Sequence, residues 1–274
     1  MLKTRVVTAA ALLLLLAVVL WSKSDIAFLL VNGAFFAAAS WESARLFGSK
    51  RPILLTVAWT ILFIALMFSP RLINQHIFFG LCVALWLIRF APALKVGLPN
   101  VAGFGNRLLA ITYGIAILGC FLAIEVLFSW KPSPLYLISV MALVWIADIG
   151  AYFSGKAFGK HKLAPSISPG KTWEGAFGGC AAVMLAAVVC ALLPILADTF
   201  AAHVQQAWGW LGMLLVMAVF VAASIVGDLF ESMLKRRVAF KDSSNLLPGH
   251  GGVLDRVDAL IPTLPLAVLV GYWL

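Results

Sequence analysis

Charge is what this chain has least of. Among 274 residues there are only 11 Asp or Glu and 20 Lys or Arg, together 11% of the sequence, where soluble domains carry about a quarter. Hydrophobic residues make up 63% and the mean hydropathy is +1.04. A water-soluble globule cannot enclose that much apolar surface, so soluble fold classes are excluded and an integral membrane protein is implied. Cysteine is equally sparse. Cys82, Cys120, Cys180 and Cys190 all sit in apolar runs without CxxC spacing, which excludes a disulfide scaffold and a thiolate metal site and leaves small buried hydrophobes. No sequence repeat stands out, and no polar stretch is long enough to make a soluble domain.

What is abundant is apolar runs. A span needs about 20 mostly apolar residues, and such runs fall at 6–21, 26–39, 53–68, 77–90, 108–128, 135–153, 176–196, 208–230 and 257–274. The expected fold is therefore an all-α polytopic membrane protein of about nine transmembrane helices. About four of them lie in an N-terminal region (1–105) and about five in a C-terminal region (106–274). The first run resembles a signal peptide, since Lys3 and Arg5 precede its apolar core. No small-x-small cleavage site follows, and Trp21-Ser22-Lys23 reads as an interfacial anchor, so the run is taken as an uncleaved span.

Charge distribution tests the layout. With nine spans and a cytoplasmic N-terminus, seventeen of the twenty basic residues fall in cytoplasmic loops, and only Lys23, Arg71 and Lys131 fall outside. That is a strong positive-inside bias. The net charge of +9 then needs no nucleic-acid partner. The Pro/Gly-rich stretch 91–106 reads as a re-entrant or interfacial segment. The two longest charged cytoplasmic loops, 155–174 and 235–256, face the same side and can converge on one site there.

Carboxylates in hydrocarbon are costly and usually face the bundle interior. Asp148, Asp228, Glu231, Asp255 and Asp258 all fall near the cytoplasmic ends of expected spans. Asp228, Glu231, Ser232 and Lys235 are spaced i, i+3, i+4, i+7 and share one helical face, and Asp255 and Asp258 share a face of the next helix. Two helices joined by one loop can present such carboxylates across a polar cleft. An all-oxygen donor set suits Mg²⁺, typically held by one or two carboxylates plus substrate phosphates. The bland alternative pairs these acids with Lys235, Arg236 or Arg256. It stays open for Glu231 and Asp258, while Asp228 and Asp255 are the preferred ligands. Glu42 and Glu125 stand alone in their spans and read as satisfied buried polar groups.

The loop 148–175 interleaves glycine and serine with Lys156, Lys160, Lys162 and Lys171. Glycine lets backbone N–H groups approach an anion, and lysine supplies charge. The GxxxxGK[ST] spacing is absent, so this is no P-loop. Ser168-Pro169-Gly170 before Lys171-Thr172-Trp173-Glu174 can cap the next helix and dock phosphate at its N-terminus. A plain cytoplasmic turn covers Lys156 or Lys160 but explains this cluster less well. The loop 232–258 adds Lys235, Arg236, Lys241, Asp242, His250 and Arg256, with His250 in a Gly249-His250-Gly251-Gly252 turn; a lone histidine there is often structural. Together the loops suit a polyphosphate with Mg²⁺ beside a bilayer, with lipid as the second substrate.

Residues 232–258 resemble the signature of the phosphatidate cytidylyltransferases, the CDP-diacylglycerol synthases. That pattern runs S-x-hydrophobic-K-R, four residues, K-D, a small residue, L-P-x-H-G-G, then D-R-x-D. It is met by Ser232, Leu234, Lys235, Arg236, Lys241, Asp242, Ser244, Leu247, Pro248, His250, Gly251, Gly252, Asp255, Arg256 and Asp258. The earlier loop is similar to the family's second stretch in Asp148, Gly150, Gly155, Gly159, Lys162, Ser168, Pro169, Lys171, Thr172, Glu174 and Gly175. The N-terminal half matches only in being multi-span.

The resemblance implies transfer of CMP from CTP to phosphatidate, giving CDP-diacylglycerol and pyrophosphate in phospholipid biosynthesis. It also implies Mg²⁺ dependence, a multi-pass fold in the cell inner membrane and a homodimer. It puts metal on Asp228 and Asp255, with Asp148, Glu231 and Asp258 as auxiliary ligands, and leaves open whether a monovalent cation assists. Lys171, Lys235, Arg236, Lys241 and Arg256 are expected to clamp triphosphate and headgroup. Ser168, Thr172, Glu174, Ser232, Asp242, His250 and Gly251-Gly252 are expected beside the substrates. Two rivals stand against this reading. A transporter or channel would place its acids at mid-bilayer and use paired interrupted helices. A CTP-dependent lipid or polyprenol kinase would attack the γ-phosphorus and release CDP.

Overall fold

A computed structural model describes residues 2–22, 24–130 and 134–274. Lys23 and Lys131, and the side chains of Lys3, Arg5 and Trp21, lie outside what is described. The chain is a bundle of helices: α1 (Leu2–Ser22), α2 (Asp25–Leu46), α3 (Pro52–Phe68), α4 (Gln75–Leu85), a π-helical turn (Trp86–Phe90), α5 (Ala91–Val96), α6 (Phe104–Trp130) and α7 (Leu135–Phe158). A hairpin of β1 (Lys162–Ala164) and β2 (Ser168–Thr172) follows, then α8 (Trp173–Leu192), α9 (Phe200–Arg237, kinked at Gly209, which takes φ +68°), α10 (Leu254–Val257) and α11 (Leu260–Gly271). Local chemistry sets several boundaries. Ser24 caps α2 by accepting the Ala27 N–H, and Asn74 caps α4 through Ile77. Pro52 opens α3, where its missing N–H costs nothing. The helical run from Gln75 to Val96 stops at Gly97, which takes φ +91°.

Among the described residues, six helical runs are long and apolar enough to cross a membrane, and three shorter apolar helices accompany them at Val6–Val19, Pro52–Phe68 and Leu260–Gly271. Large apolar side chains face outward, among them Ile53, Leu185, Leu211 and Leu215. Such a surface belongs in lipid. The fold class is thus all-α and polytopic, with one short hairpin that composition and periodicity did not anticipate.

The interior is knit by aromatics. Trp86 and Phe90 meet Tyr113 of α6 and Phe230 of α9, with ring centroids 4.9–6.4 Å apart. α11 lies inside the bundle, and Leu260, Ile261, Leu264, Ala267 and Val268 are buried. The expected continuous run 257–274 is broken at Asp258–Ala259. Pro262 has no N–H to offer the Asp258 carbonyl, which instead abuts Gly227 of α9. Asp258 and Ala259 nevertheless keep right-handed helical dihedrals, and the Asp258 N–H donates to the Leu254 carbonyl at 2.9 Å, so Asp255 and Asp258, three apart, stay on one helical face as expected. The stretch 91–106 also divides, into helix up to Val96 and irregular chain before Phe104.

Candidate active site

Small residues allow α7 and α8 to pack closely. A Cβ on Gly179 would lie 2.6 Å from the Ala147 carbonyl oxygen, and one on Gly178 would collide with Ser154. This close approach leaves the α7–α8 ends and the hairpin facing α9 across a cavity of about 500 Å³. Asp148, Tyr152 and Lys156 of α7 line it, with Ser168, Lys171 and Thr172 of β2 and Ser224 and Asp228 of α9. The loop 155–174 meets α9 here, whereas among the described residues none of the loop 235–256, expected to converge with it, lines this cavity.

Lys171 Nζ lies 2.6 Å from Asp228 Oδ2, and both side chains keep some exposure to the cavity. Ser232, one turn along α9, donates its hydroxyl to Asp228 Oδ1 at 3.2 Å. Asp148 is exposed on the same cavity wall. Thr172 caps α8, accepting the Gly175 N–H. Glu174 accepts the His161 N–H and lies 2.6 Å from its Nδ1. The expected cap is there, but its glutamate is engaged within the hairpin.

The second group lies one helical turn further along α9. Lys235 Nζ reaches Asp255 Oδ1 at 2.5 Å and also pairs with Glu231, which is fully buried. Glu231 Oε1 is buried without a hydrogen-bond partner. Asp255 Oδ2 accepts the Ser243 N–H, the Ser243 hydroxyl and the Gly252 N–H, each at 2.8 Å. Burial works to raise the Asp255 carboxyl, but Lys235 and these donors hold it below the ordinary carboxylate range. Arg236, Lys241 and Asp242 are exposed beyond this pair. Arg256 is committed to the His250 carbonyl, donating through Nε and Nη2 at 3.1 and 2.8 Å, and so shapes the glycine turn. Gly251 takes φ +85° in that turn.

One ammonium thus faces Glu231 and Asp255, and one faces Asp228 with Asp148 on the cavity wall. The buried group has two carboxylates to one ammonium, and uncompensated buried charge is costly, while the cavity wall holds Asp148 and Asp228 with Lys156 and Lys171. The surplus of carboxylate oxygen suits a hard divalent cation. Among the described residues no three His, Cys, Asp or Glu side chains are placed to enclose a metal by themselves. The five expected carboxylates, Asp148, Asp228, Glu231, Asp255 and Asp258, therefore do not meet as one donor set.

Sequence reasoning missed the largest contributor to the loop's shape. Glu42 of α2 is fully buried and accepts four hydrogen bonds, all from residues 243–254. The expectation of a satisfied buried group holds for Glu42, although nothing in the sequence says what satisfies it. Glu125 differs, since its Oε2 is buried with no partner.

The chain matches the cytidylyltransferase family model over residues 3–274. It is 41% identical to a phosphatidate cytidylyltransferase of Pseudomonas aeruginosa, across 97% of this chain and 95% of that protein. A phosphatidate cytidylyltransferase of Haemophilus influenzae is 35% identical, across 97% and 96%. One from Staphylococcus aureus is 42% identical over 132 residues, which is 48% of this chain and 46% of that protein.

Proposed function

The chain belongs to the cytidylyltransferase family, and from that premise we propose that it transfers CMP from CTP to phosphatidate, releasing pyrophosphate and leaving CDP-diacylglycerol. The observation that carries the reading is the cavity where Lys171 meets Asp228 beside Asp148, at the helix ends of an apolar bundle. A polyanionic nucleotide needs cations, and a lipid needs a membrane-facing site. Both are here. A second cavity of about 580 Å³ shares Leu163, Ala176 and Ile225 with the first, is mainly apolar, and includes Lys95. It suits the acyl chains of phosphatidate.

In the reaction the lipid phosphate oxygen forms a bond to the α-phosphorus of CTP while the bond from that phosphorus to the β-bridging oxygen breaks. The nucleophile is a phosphate monoester with a second pKa of about 6, judged from phosphorylated side chains. It is already anionic near neutral pH and needs no general base. The obstacle is repulsion between two polyanions and the charge that develops on pyrophosphate. Lys171 and Lys235 supply positive charge at the two carboxylate groups, and Arg236, Lys241 and Arg256 add it at the rim. Ser168 and Thr172 line the cavity and Ser232 holds Asp228, while Asp242 and the 249–252 turn would approach the substrates from the 232–258 loop. When bound, Mg²⁺ would neutralise phosphate charge; Asp228 and Asp255 would hold it, with Asp148, Glu231 and Asp258 in support.

The finer topology belongs to the same proposal: nine spans, the N-terminus in the cytoplasm, and residence in the cell inner membrane. Six long and three shorter apolar helices support that count, and the basic residues support that orientation. A homodimer follows from the family resemblance and is read out by the mass of the protein in detergent. Incubating purified protein with CTP, Mg²⁺ and phosphatidate tests the activity. Pyrophosphate with a liponucleotide supports the reading; release of CDP would make the protein a kinase, and no turnover would favour a transporter.

A further inference from the structure

Glu42 lies about two hundred positions from the 232–258 loop, in the half of the chain with no signature residues. Its carboxylate is nevertheless the centre on which that loop folds. Oε1 accepts the Ser244 hydroxyl at 2.5 Å and the Val253 N–H at 3.0 Å. Oε2 accepts the Leu254 N–H at 2.6 Å and the Ser243 hydroxyl at 3.1 Å. A Cβ on Gly252 would stand 2.3 Å from Oε1 and 2.0 Å from Ser243 Oγ, so the carboxylate occupies the space a side chain there would need. The Ser243 hydroxyl also lies 2.8 Å from Asp255 Oδ2. It has one proton for two carboxylates. Glu42 and Asp255 therefore draw on the same short segment from opposite sides, and Asp255 is tied in turn to Lys235.

The platform beneath Glu42 is held as well. Arg237 donates to the Leu46 carbonyl at the end of α2, to the Pro99 carbonyl and to Asn106, and Asn106 donates to the Phe47 carbonyl. α2, α6 and α9 are thereby joined at one level, so Glu42 is referenced to the helix that carries Asp228 and Lys235.

We propose that Glu42 is a positioning residue for the transfer: it clamps segment 243–254 so that Asp255 and Lys235 stand at a fixed place relative to Asp228 and the phosphates. The inference rests on the reading under Proposed function. Its physical basis is selectivity. Three donors on one buried carboxylate, with the Ser243 hydroxyl shared between it and Asp255, impose a single loop shape, because releasing any one leaves a buried polar group unsatisfied.

The test uses full-length protein in detergent, comparing wild type with Glu42→Gln, Glu42→Asp and Ser244→Ala. Hydrogen exchange of peptides covering 243–254 is read beside kcat and KM for CTP. An amide cannot replace a carboxylate accepting on both oxygens, so Glu42→Gln is expected to speed exchange in that segment by about tenfold while α6 and α9 stay protected. The same variant should lower kcat by about 100-fold, with KM moving less than about threefold. Glu42→Asp, which keeps the charge, should recover about tenfold of the lost kcat. A role in stability alone predicts normal kcat per folded molecule and no recovery by aspartate; that result overturns the proposal, as does unchanged exchange in the segment. Should Glu42→Gln not fold, Ser244→Ala decides, because it removes one donor and leaves the charge. A drop of about threefold or more in kcat with local loosening supports the clamp, and an unchanged kcat overturns it. Wild-type protein without transfer activity would refute the functional reading itself, while the exchange result would still judge the clamp.

Discussion

At the scale of single residues, two lysines do opposite work with similar chemistry. Lys171 is partly open to the cavity and spans it to Asp228. Its ammonium can be shared with an incoming phosphate at little cost in structure. Lys171→Ala is expected to reduce kcat/KM for CTP by about tenfold or more, with little change in thermal stability, as steady-state kinetics and a melting curve would show. Lys235 is only 14% exposed and faces two carboxylates, one of them fully buried. Lys235→Met removes the charge and leaves both acids unpaired. About 3–5 kcal/mol of destabilisation is expected from breaking a buried pair in this way, measured by denaturant unfolding in detergent. Asp228→Asn should keep the protein folded and inserted yet lose at least about 100-fold in turnover. The residue types in this site were legible from spacing alone: Asp228, Ser232, Glu231 and Lys235 lie on one helical face, as i, i+3, i+4 and i+7 require. The alternative that paired these acids with Lys235 is met by Glu231 and Asp255, and Ser232–Asp228 is a local i,i+4 pair; the partners contributed by distant segments were not legible. No local rule connects Lys171 to Asp228 or Glu42 to Leu254, because those contacts depend on how helices distant in sequence are packed.

At the scale of elements, the cavity exists because α7 and α8 approach closely and α9 closes it. Replacing Gly179 by Val would put a side chain against the Ala147 carbonyl. The two helices must separate, at about 1–3 kcal/mol by analogy with overpacked cores. A lowered melting temperature and reduced activity together are the expected result; an unchanged melting temperature would contradict this account of the packing. Helix positions were largely readable, since long apolar runs in a bilayer have few alternatives. Ends were less so. α2 runs on to Leu46 and α9 to Arg237, beyond the apolar segments that suggested them, because polar side chains at these ends face protein partners. The interruption before α11 is a missing hydrogen bond at Pro262, a signal already present in the sequence. The hairpin was hidden because strands of three and five residues, Lys-Leu-Ala and Ser-Pro-Gly-Lys-Thr, are too short to carry an alternating pattern.

At the scale of the whole molecule, the sparse charges of an apolar bundle are densest in two loops, 155–174 and 235–256, which the proposed orientation puts on one side of the membrane. This arrangement predicts a sidedness. Cysteine introduced at Arg71 should react with a membrane-impermeant maleimide in intact cells, and cysteine at Lys241 only after the cells are opened; the reverse pattern would overturn the proposed orientation. It also explains why the C-terminal loop carries the recognisable motif while the N-terminal half does not. In the proposed reading the loop meets substrate and most of the N-terminal half meets lipid, where many apolar sequences serve equally well. Glu42 is the exception, a polar residue in that half whose task lies in the loop. The central claim is that the α-phosphorus of CTP ends on the lipid. Supplying purified protein in detergent with phosphatidate and CTP labelled at either the α- or the γ-phosphorus tests it most directly. The account predicts α-label in the chloroform-soluble product and γ-label in pyrophosphate, with neither reaction in Asp228→Asn. Label from the γ-position in the lipid would contradict it.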